Sequence, residues 1–275
     1  MDKIIAVDFG GTSVRAALMK GRRILRLVKK DTLAKKGSKT VIKQLTDAIS
    51  EAKGNEKIKG IGIGSPGPLI NGIIKNPPNL PLRNFNLKEY LKNKFKVRVE
   101  IGNDANCAAL AELHYGVKKK NFFVLTLGTG IGGGVIIDNK LYEGEGYAAE
   151  LGHMILENGR DLEFWASGSR ITNEAEKIFG KRLLASDLKK LNNKKADKIL
   201  ENAAANLGKG IGSLINIFDP EVVVLNGGLK AAGKKYIRIV RKEAQKYCIL
   251  PKKVKIEWSK LENAGILGAA LLLEK

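Results

Sequence analysis

The chain has 275 residues, 44% of them apolar and 28% charged, with 49 Lys and Arg against 28 Asp and Glu for a formal net charge of +21. That length buries a sizeable core in one large or two ordinary domains; no apolar run approaches the ~20 residues of a membrane span, no signal-peptide pattern precedes Ile4, and two cysteines exclude a disulfide framework. The charge is scattered (Lys29-Lys30, Lys35-Lys36, Lys118 to Lys120, Lys252-Lys253) with no basic tail and only 6% aromatics, so a lysine-rich solvated surface that helps attract polyanions is expected rather than a nucleic-acid face.

In chain order, Lys3 to Val7 reads as a buried strand, followed by the turn Asp8-Phe9-Gly10-Gly11-Thr12 and strands Ser13 to Met19 and Arg23 to Val28. Thr40 to Ala52 carries Val41, Ile42, Leu45, Ala48 and Ile49 at helical spacing and stops at Gly54. Ile58 to Ile63 is a strand leading into Ser65-Pro66-Gly67-Pro68, Asn71-Gly72 marks a hairpin turn, and Asn76-Pro77-Pro78-Asn79 is a loop whose prolines set its path. After a short helix over Lys88 to Phe95, Val97, Val99 and Ile101 alternate with charges and predict a strand that runs into Gly102-Asn103-Asp104-Ala105-Asn106 and then a helix of small apolar residues, Ala108 to Leu113. A carboxylate at the exit of a strand lies where α/β sheets present ligands. The plainer reading of Asp104 or Asn103 is a helix cap.

The second half repeats the order of elements. Phe122 to Leu127 is a strand, Gly128 to Gly134 a glycine turn, Val135 to Ile137 a strand, Asp138 to Lys140 a turn, and Leu141-Tyr142 starts a third strand. The two copies lie about 120 residues apart and suggest two similar lobes facing one another across a cleft. A looser region follows from Glu143 to Arg170. Ala196 to Phe218 is a long helix with Ile199, Leu200, Ala203, Ala204, Leu207, Ile211, Leu214 and Ile215 on its buried side. Val222 to Leu225 is a strand, Asn226-Gly227-Gly228 a turn, Tyr236 to Tyr247 a helix, Val254 to Trp258 a last strand and Ala264 to Leu273 a final apolar helix.

Gly128, Gly130 and Gly133 satisfy G-x-G-x-x-G, but a strand follows where a dinucleotide fold needs a helix. A protein-kinase reading fails because Asp8-Phe9-Gly10 precedes the loop and no H-R-D exists; no G-K-[ST] supports a Walker loop. What remains is a pair of hairpin turns whose bare backbone N–H groups can cradle phosphate, or else plain glycine-rich hairpins.

Asp8-Phe9-Gly10-Gly11-Thr12, Asn103-Asp104-Ala105-Asn106, Leu127-Gly128-Thr129-Gly130-Ile131-Gly132-Gly133-Gly134 and Glu150-Leu151-Gly152-His153, in that order, resemble the ROK family of sugar kinases. Motifs run from Asp8 to Gly265-Ile266-Leu267-Gly268-Ala269, covering nearly the whole chain. The resemblance implies an α/β, two-lobed, actin-like and hexokinase-like (ribonuclease H-like) fold, with residues 1–104 plus 264–275 as the smaller lobe and 105–263 as the larger. It implies a glucokinase-like enzyme that transfers the terminal phosphoryl of ATP, with Mg2+, to the 6-hydroxyl of glucose or a related hexose. Asp104 is then the general base, and Gly67, Asn79, Asn103, Glu150, His153 and Glu163 contact the sugar. Gly10, Gly11, Thr12, Gly128, Thr129 and Gly130 flank the donor phosphates, Gly227 and Gly228 the adenosine, and Asp8 faces the magnesium through water. A cytoplasmic homo-oligomer, a dimer by resemblance, without nucleic-acid or membrane partners is expected.

The chain departs from the family at one point. The family usually follows Glu-x-Gly-His with C-x-C-G-x-x-G-C, whose cysteines and His bind a structural zinc; Met154 to Asp161 stands there instead, shorter and without cysteine. No zinc site of that type is expected. A lone histidine is more often structural than a ligand, and it is the family match that makes His153 a sugar contact. Zinc-free relatives include polyphosphate-using kinases, so a polyphosphate glucokinase is one alternative. A non-catalytic sugar-responsive regulator is another. Regulators of the family carry a helix-turn-helix before the first strand, which here starts near Lys3.

Overall fold

Short apolar runs build the first sheet: Ile5 to Val7 and Ala16 to Met19 are each buried in succession. In a computed structural model, which describes residues 2–67, 69–77 and 79–274, β1 (Lys3–Phe9), β2 (Ser13–Lys20) and β3 (Arg23–Asp31) form an antiparallel meander. Two further strands, β4 (Gly60–Ser65) and β5 (Arg98–Asn103), add in parallel beyond β1, giving the order β3-β2-β1-β4-β5. Crossover helices α1 (Ser38–Lys53) and α2 (Leu87–Phe95) make the parallel pairings possible. The buried side of α1, Val41, Leu45, Ala48, Ile49 and Ala52, joins Ile5, Val7, Phe9, Ile61 and Ile63 in one core. Asn71 (φ 49°) and Gly72 (φ 80°) form the expected hairpin turn between the short strands Leu69–Ile70 and Ile73–Ile74, a conformation that favours Asn-Gly. Pro68 and Pro78, which the sequence reading puts in the two proline loops, lie outside the described residues.

Helix α3 (Asp104–Tyr115) follows β5 directly, and its face of small residues serves close packing. The C-terminal helix, Ala264–Leu271, lies against it so tightly that a Cβ at Gly268 would overlap the Cys107 carbonyl, and one at Gly62 of β4 would overlap the Ala269 carbonyl. Glycine is required at both contacts. This packing explains a difference from the expected lobe boundary at 104. The chain divides by contacts into Met1–Lys118, Glu143–Ala148 and Leu261–Lys275 in one unit, and Lys119–Tyr142 with Ala149–Lys260 in the other, so α3 belongs with the first.

The second unit repeats the topology. β6 (Phe122–Leu127), β7 (Ile131–Ile137) and β8 (Lys140–Leu141) form the antiparallel meander, and β9 (Val222–Asn226) and β10 (Lys255–Trp258) add in parallel, in the order β8-β7-β6-β9-β10. The expected turn over Gly128 to Gly134 is shorter than predicted. Only Gly128 to Gly130 turn, while Gly132, Gly133 and Gly134 lie in β7 and pair with Thr126, Leu125 and Val124. A Cβ on Gly133 would overlap Leu151 and the Ala149 carbonyl, so that glycine serves packing rather than flexibility.

The region read as loose is ordered. It holds a hairpin of Ile155–Glu157 with Arg160–Asp161, then α4 (Leu162–Ala166) and the start of α5 (Gly168–Phe179). Beyond come α6 (Ala185–Lys190), the long α7 (Lys194–Phe218) and α8 (Lys234–Tyr247). All eight apolar residues expected on the inner side of α7 are buried in this unit's own core. Gly208 and Gly212 bring α7 close to α8, where a Cβ would press on the Val240 and Ala244 carbonyls at 2.7 and 2.8 Å. Among the described residues no helix is long and apolar enough to cross a membrane.

Candidate active site

In the first unit the parallel strands β1, β4 and β5 point the same way, so the residues at their carboxyl ends share one edge of the sheet. That edge presents Asp8 and the turn Gly10-Gly11-Thr12 after β1, Gly67 after β4, and Asn103 and Asp104 after β5. The turn is closed by the Gly10 N–H donating to the Ser13 carbonyl at 2.9 Å. Gly11 lies against Asn79, where a Cβ would come within 2.7 Å of the Asn79 Cβ and 2.8 Å of its carbonyl. Gly67, at φ +86°, lies against Pro77 in the same way. Gly64 admits the first turn of α3, since a Cβ there would lie 3.4 Å from the Asp104 Cα. The loops carrying Gly67, Asn79, the glycine turn and Asp104 are thus gathered on one edge by glycines that let backbone meet backbone.

The capping question at α3 has a clear answer. Asn103 is the cap: its Oδ1 accepts from the Ala105 and Asn106 N–H groups at 2.9 and 3.1 Å, an arrangement worth ~1 kcal/mol. Asp104 is the first helical residue, half-buried, with its Oδ1 2.8 Å from the Ala105 N–H. The end of a helix that carries partial positive charge therefore faces this carboxylate. Asp8 pairs with Arg15 across the β1–β2 hairpin, and Arg15 also donates to the Asn263 Oδ1 at 3.2 Å. Arg15 and Asn263 carry no motif signal; only their positions beside Asp8 single them out.

In the second unit the Gly128-Thr129-Gly130 turn is closed by the Gly128 N–H on the Gly130 carbonyl at 3.0 Å and held from behind by α5, whose Gly168 and Ser169 N–H groups donate to the Gly128 and Thr129 carbonyls at 2.9 and 3.1 Å. Gly227, at φ +111°, presses on Leu127, where a Cβ would overlap the carbonyl, so the Gly227-Gly228 turn sits beside the end of β6. Nothing lies within 4 Å of a Cβ position on Gly128 or Gly228.

Glu163, on α4, accepts from the Ile131 N–H at 2.7 Å, and its carboxylate fills the place a Cβ on Gly130 would need. This joins Glu163 to the glycine turn. Glu150 and His153 sit at the two ends of the short 3-10 turn Leu151–His153, with the His153 N–H donating to the Glu150 carbonyl at 3.0 Å. Burial pushes the Glu150 carboxyl above its usual pKa, opposed by His153 and helped by Glu163. Hydrogen bonding to Asp161 raises the His153 imidazole, burial opposes it, and the charges of Glu163, Asp161 and Glu150 add to the rise. The His153 Nδ1 is 2.9 Å from the Asp161 Oδ2. The sequence reading does not single out Asp161 as functional; its signal is that of a helix N-cap ahead of Leu162.

Mg2+ takes one or two carboxylates together with phosphate oxygens and waters, and Asp8 stands at the head of a turn of bare backbone. Open space above Gly128 and Gly228 is space that a side chain would otherwise occupy.

The ROK family model matches residues 4–275. A glucokinase of Thermotoga maritima is 33% identical, over 99% of this chain and 98% of that protein. Among solved structures, a ROK hexokinase from Thermus thermophilus superimposes with a TM-score of 0.80 at 32% identity, covering 99% of this chain and 98% of that one. A ROK family glucokinase from Streptomyces griseus, solved with glucose and AMPPNP, reaches a TM-score of 0.89 at 26% identity with 98% of both chains covered. The duplicated strand order thus belongs to the actin-like fold of these kinases, and the chain is a member of the ROK family.

Proposed function

We propose that the protein is a cytoplasmic, dimeric sugar kinase that transfers the terminal phosphoryl of ATP to the 6-hydroxyl of glucose or a closely related hexose. The observation that carries this reading is the shared edge of the first unit, where Asp104 at the start of α3 accompanies a phosphate-sized glycine turn and Asn79. Asp104 is the general base. A sugar hydroxyl is a weak nucleophile, and a carboxylate within hydrogen-bond reach accepts its proton as the new O–P bond forms and the donor's O–P bond breaks. Gly67, Asn79 and Asn103 of the first unit, and Glu150, His153 and Glu163 of the second, hold the remaining sugar groups. Their polar atoms suit neutral hydroxyls, because an analogue lacking one strands a buried partner. Gly10 to Thr12 and Gly128 to Gly130 orient the donor phosphates, and Gly227-Gly228 the adenosine. Magnesium, when bound near Asp8, neutralises charge on the donor phosphates.

Asp104→Asn is the test. The variant is expected to fold, to bind sugar and to lose turnover by about 100-fold or more. Retention of more than about a tenth of the wild-type rate overturns the base role. Sugar binding by the wild type without any turnover would instead favour the regulator reading.

A second donor, inorganic polyphosphate, is favoured by one feature. A cavity of about 400 Å³ beside Trp165 is lined by Arg170, Lys195, Lys198 and Lys209 against the single carboxylate of Glu174, and Arg170 follows directly on the Ser169 that holds the glycine turn. Such a groove attracts a polyanion. No product from polyphosphate of any chain length removes this donor.

A further inference from the structure

Asp161 has both carboxylate oxygens engaged. Oδ2 lies 2.9 Å from the His153 Nδ1, and Oδ1 accepts from the Phe164 N–H at 2.8 Å, capping α4. The same short helix carries Glu163, whose Oε2 accepts from the Ile131 N–H at the second glycine turn. The hairpin that presents Asp161 is tied back on both sides. The Leu162 N–H donates to the Met154 carbonyl at 2.9 Å, and the Trp165 Nε1 donates to the Glu157 carbonyl at 3.2 Å. The Arg160 guanidinium covers the Phe164 ring at 5.0 Å. A half-buried carboxylate in a braced hairpin thus fixes two groups at once.

We infer that Asp161 is a positioning residue for sugar recognition: it holds His153 in the tautomer with the proton on Nδ1, so that Nε2 accepts a hydrogen bond from a sugar hydroxyl, and it sets the start of the helix that carries Glu163. This rests on the proposed sugar-binding role of His153 and Glu163. In a neutral imidazole one nitrogen donates and the other accepts, and the partner of the first decides the role of the second. A carboxylate can only accept when ionised, so Nδ1 must donate to it and Nε2 is left as the acceptor. The charged groups facing the ring, Asp161, Glu163 and Glu150, are all carboxylates. Without Asp161 the ring loses its Nδ1 acceptor, and α4 loses its cap.

The chain has only two histidines, so a His114→Gln background leaves one imidazole to observe by nitrogen-15 correlation NMR. Above the titration of His153 the expected state has Nδ1 protonated and Nε2 bare, with Nε2 shifting when glucose is added. Asp161→Ala is expected to raise the sugar KM at least tenfold with kcat within about threefold, and to move the proton to Nε2. Asp161→Asn keeps one oxygen to cap α4 but turns its NH2, a donor, toward Nδ1, which must then accept, so the proton is expected to move to Nε2. The Asn variant is expected to restore the melting temperature of the Ala variant while leaving the sugar KM several-fold above wild type. A wild-type His153 protonated on Nε2 overturns the proposal, and so does an Asp161→Asn enzyme whose KM and imidazole titration match wild type. The Asn variant carries the test if the Ala variant fails to fold. A wild type that neither binds nor phosphorylates sugar is a failure of the functional reading, visible before any Asp161 variant is made, and the tautomer still decides whether Asp161 orients the ring.

Discussion

Strand β1 and its counterpart β6 both run into a glycine turn and return as the second strand of an antiparallel meander, yet the residues beside the turns differ in kind. In the first unit Asp8 pairs across the hairpin with Arg15; in the second the equivalent pair is Thr126 with Gly132. The first unit's last parallel strand delivers Asn103 and Asp104 into α3, whereas the second unit's β10 ends at Trp258 and runs on into Ser259. The β4 exit carries Ser65-Pro66-Gly67, the β9 exit Asn226-Gly227-Gly228. Topology places the strand-exit residues at the same edge in both sheets, and the side chains at that edge differ in kind. One edge carries charge and hydrogen-bonding side chains, and the other carries bare backbone suited to phosphate and nucleotide. The second unit's charged residues, Glu150, His153 and Glu163, come from the connection after β8 and not from the sheet edge itself.

Variants sharpen this contrast. The largest effect is expected from Asp104→Asn, with turnover down about 100-fold or more and little change in melting temperature, because the Asn103 cap remains. Turnover assays beside thermal unfolding separate chemistry from stability. Next comes a paired substitution in the second unit. Gly227→Ala places a side chain at φ +111° against the Leu127 carbonyl, and should destabilise by about 1–3 kcal/mol while raising the KM for ATP. Gly228→Ala meets open space, so its stability should stay within about 0.5 kcal/mol of wild type. Equal unfolding midpoints for the two would break the claim that the β9 exit is held by backbone contact.

Smaller effects test the charged trio. The pKa of Glu150 is raised in the folded state, so its contribution favours folding at acid pH and falls away as pH rises through the folded value. Glu150 is an exposed residue, so solvent screening keeps this effect small: Glu150→Gln should melt no more than about one degree above wild type at pH 7, a gain that vanishes toward pH 4, and its sugar KM should rise. The smallest effect belongs to the His153–Asp161 pair. The imidazole's folded pKa is raised, so the pair's stabilisation is complete below the unfolded value and disappears as pH rises through the folded one. The His153 side chain is 51% exposed, which keeps this contribution below about 1 kcal/mol. The difference in unfolding free energy between wild type and His153→Gln should shrink as pH increases.

Local pattern carries much of this molecule. Alternation places β5, through Val97, Val99 and Ile101, while short continuous apolar runs place β1 and β6, which are buried on both faces. Period 3.6 places α1 and α7, whose apolar positions are long enough to be distinctive. The same logic misses α5, whose few apolar residues, Ile171, Ala175, Ile178 and Phe179, are interrupted by charges. It also reads Gly132 to Gly134 as turn, since a strand of three glycines has no pattern to detect. The glycine and Asn-Asp segments stand out because they punctuate strand ends, whereas Glu150 and His153 lie on a 3-10 turn away from any strand end and stand out only through the Glu-x-Gly-His motif.

Motif order and hydrophobic period therefore settle the duplicated α/β plan and the identity of the polar residues at its edges. Folding alone decides which of them meet. Asp161 reaches His153 only through a hairpin, Glu163 meets the Ile131 N–H from 32 residues away, and Arg15 finds Asp8 only by strand register. Such contacts depend on where chain segments come to rest, and that follows from the packing of glycines such as Gly11, Gly227 and Gly268 against backbone that no local stretch of sequence contains.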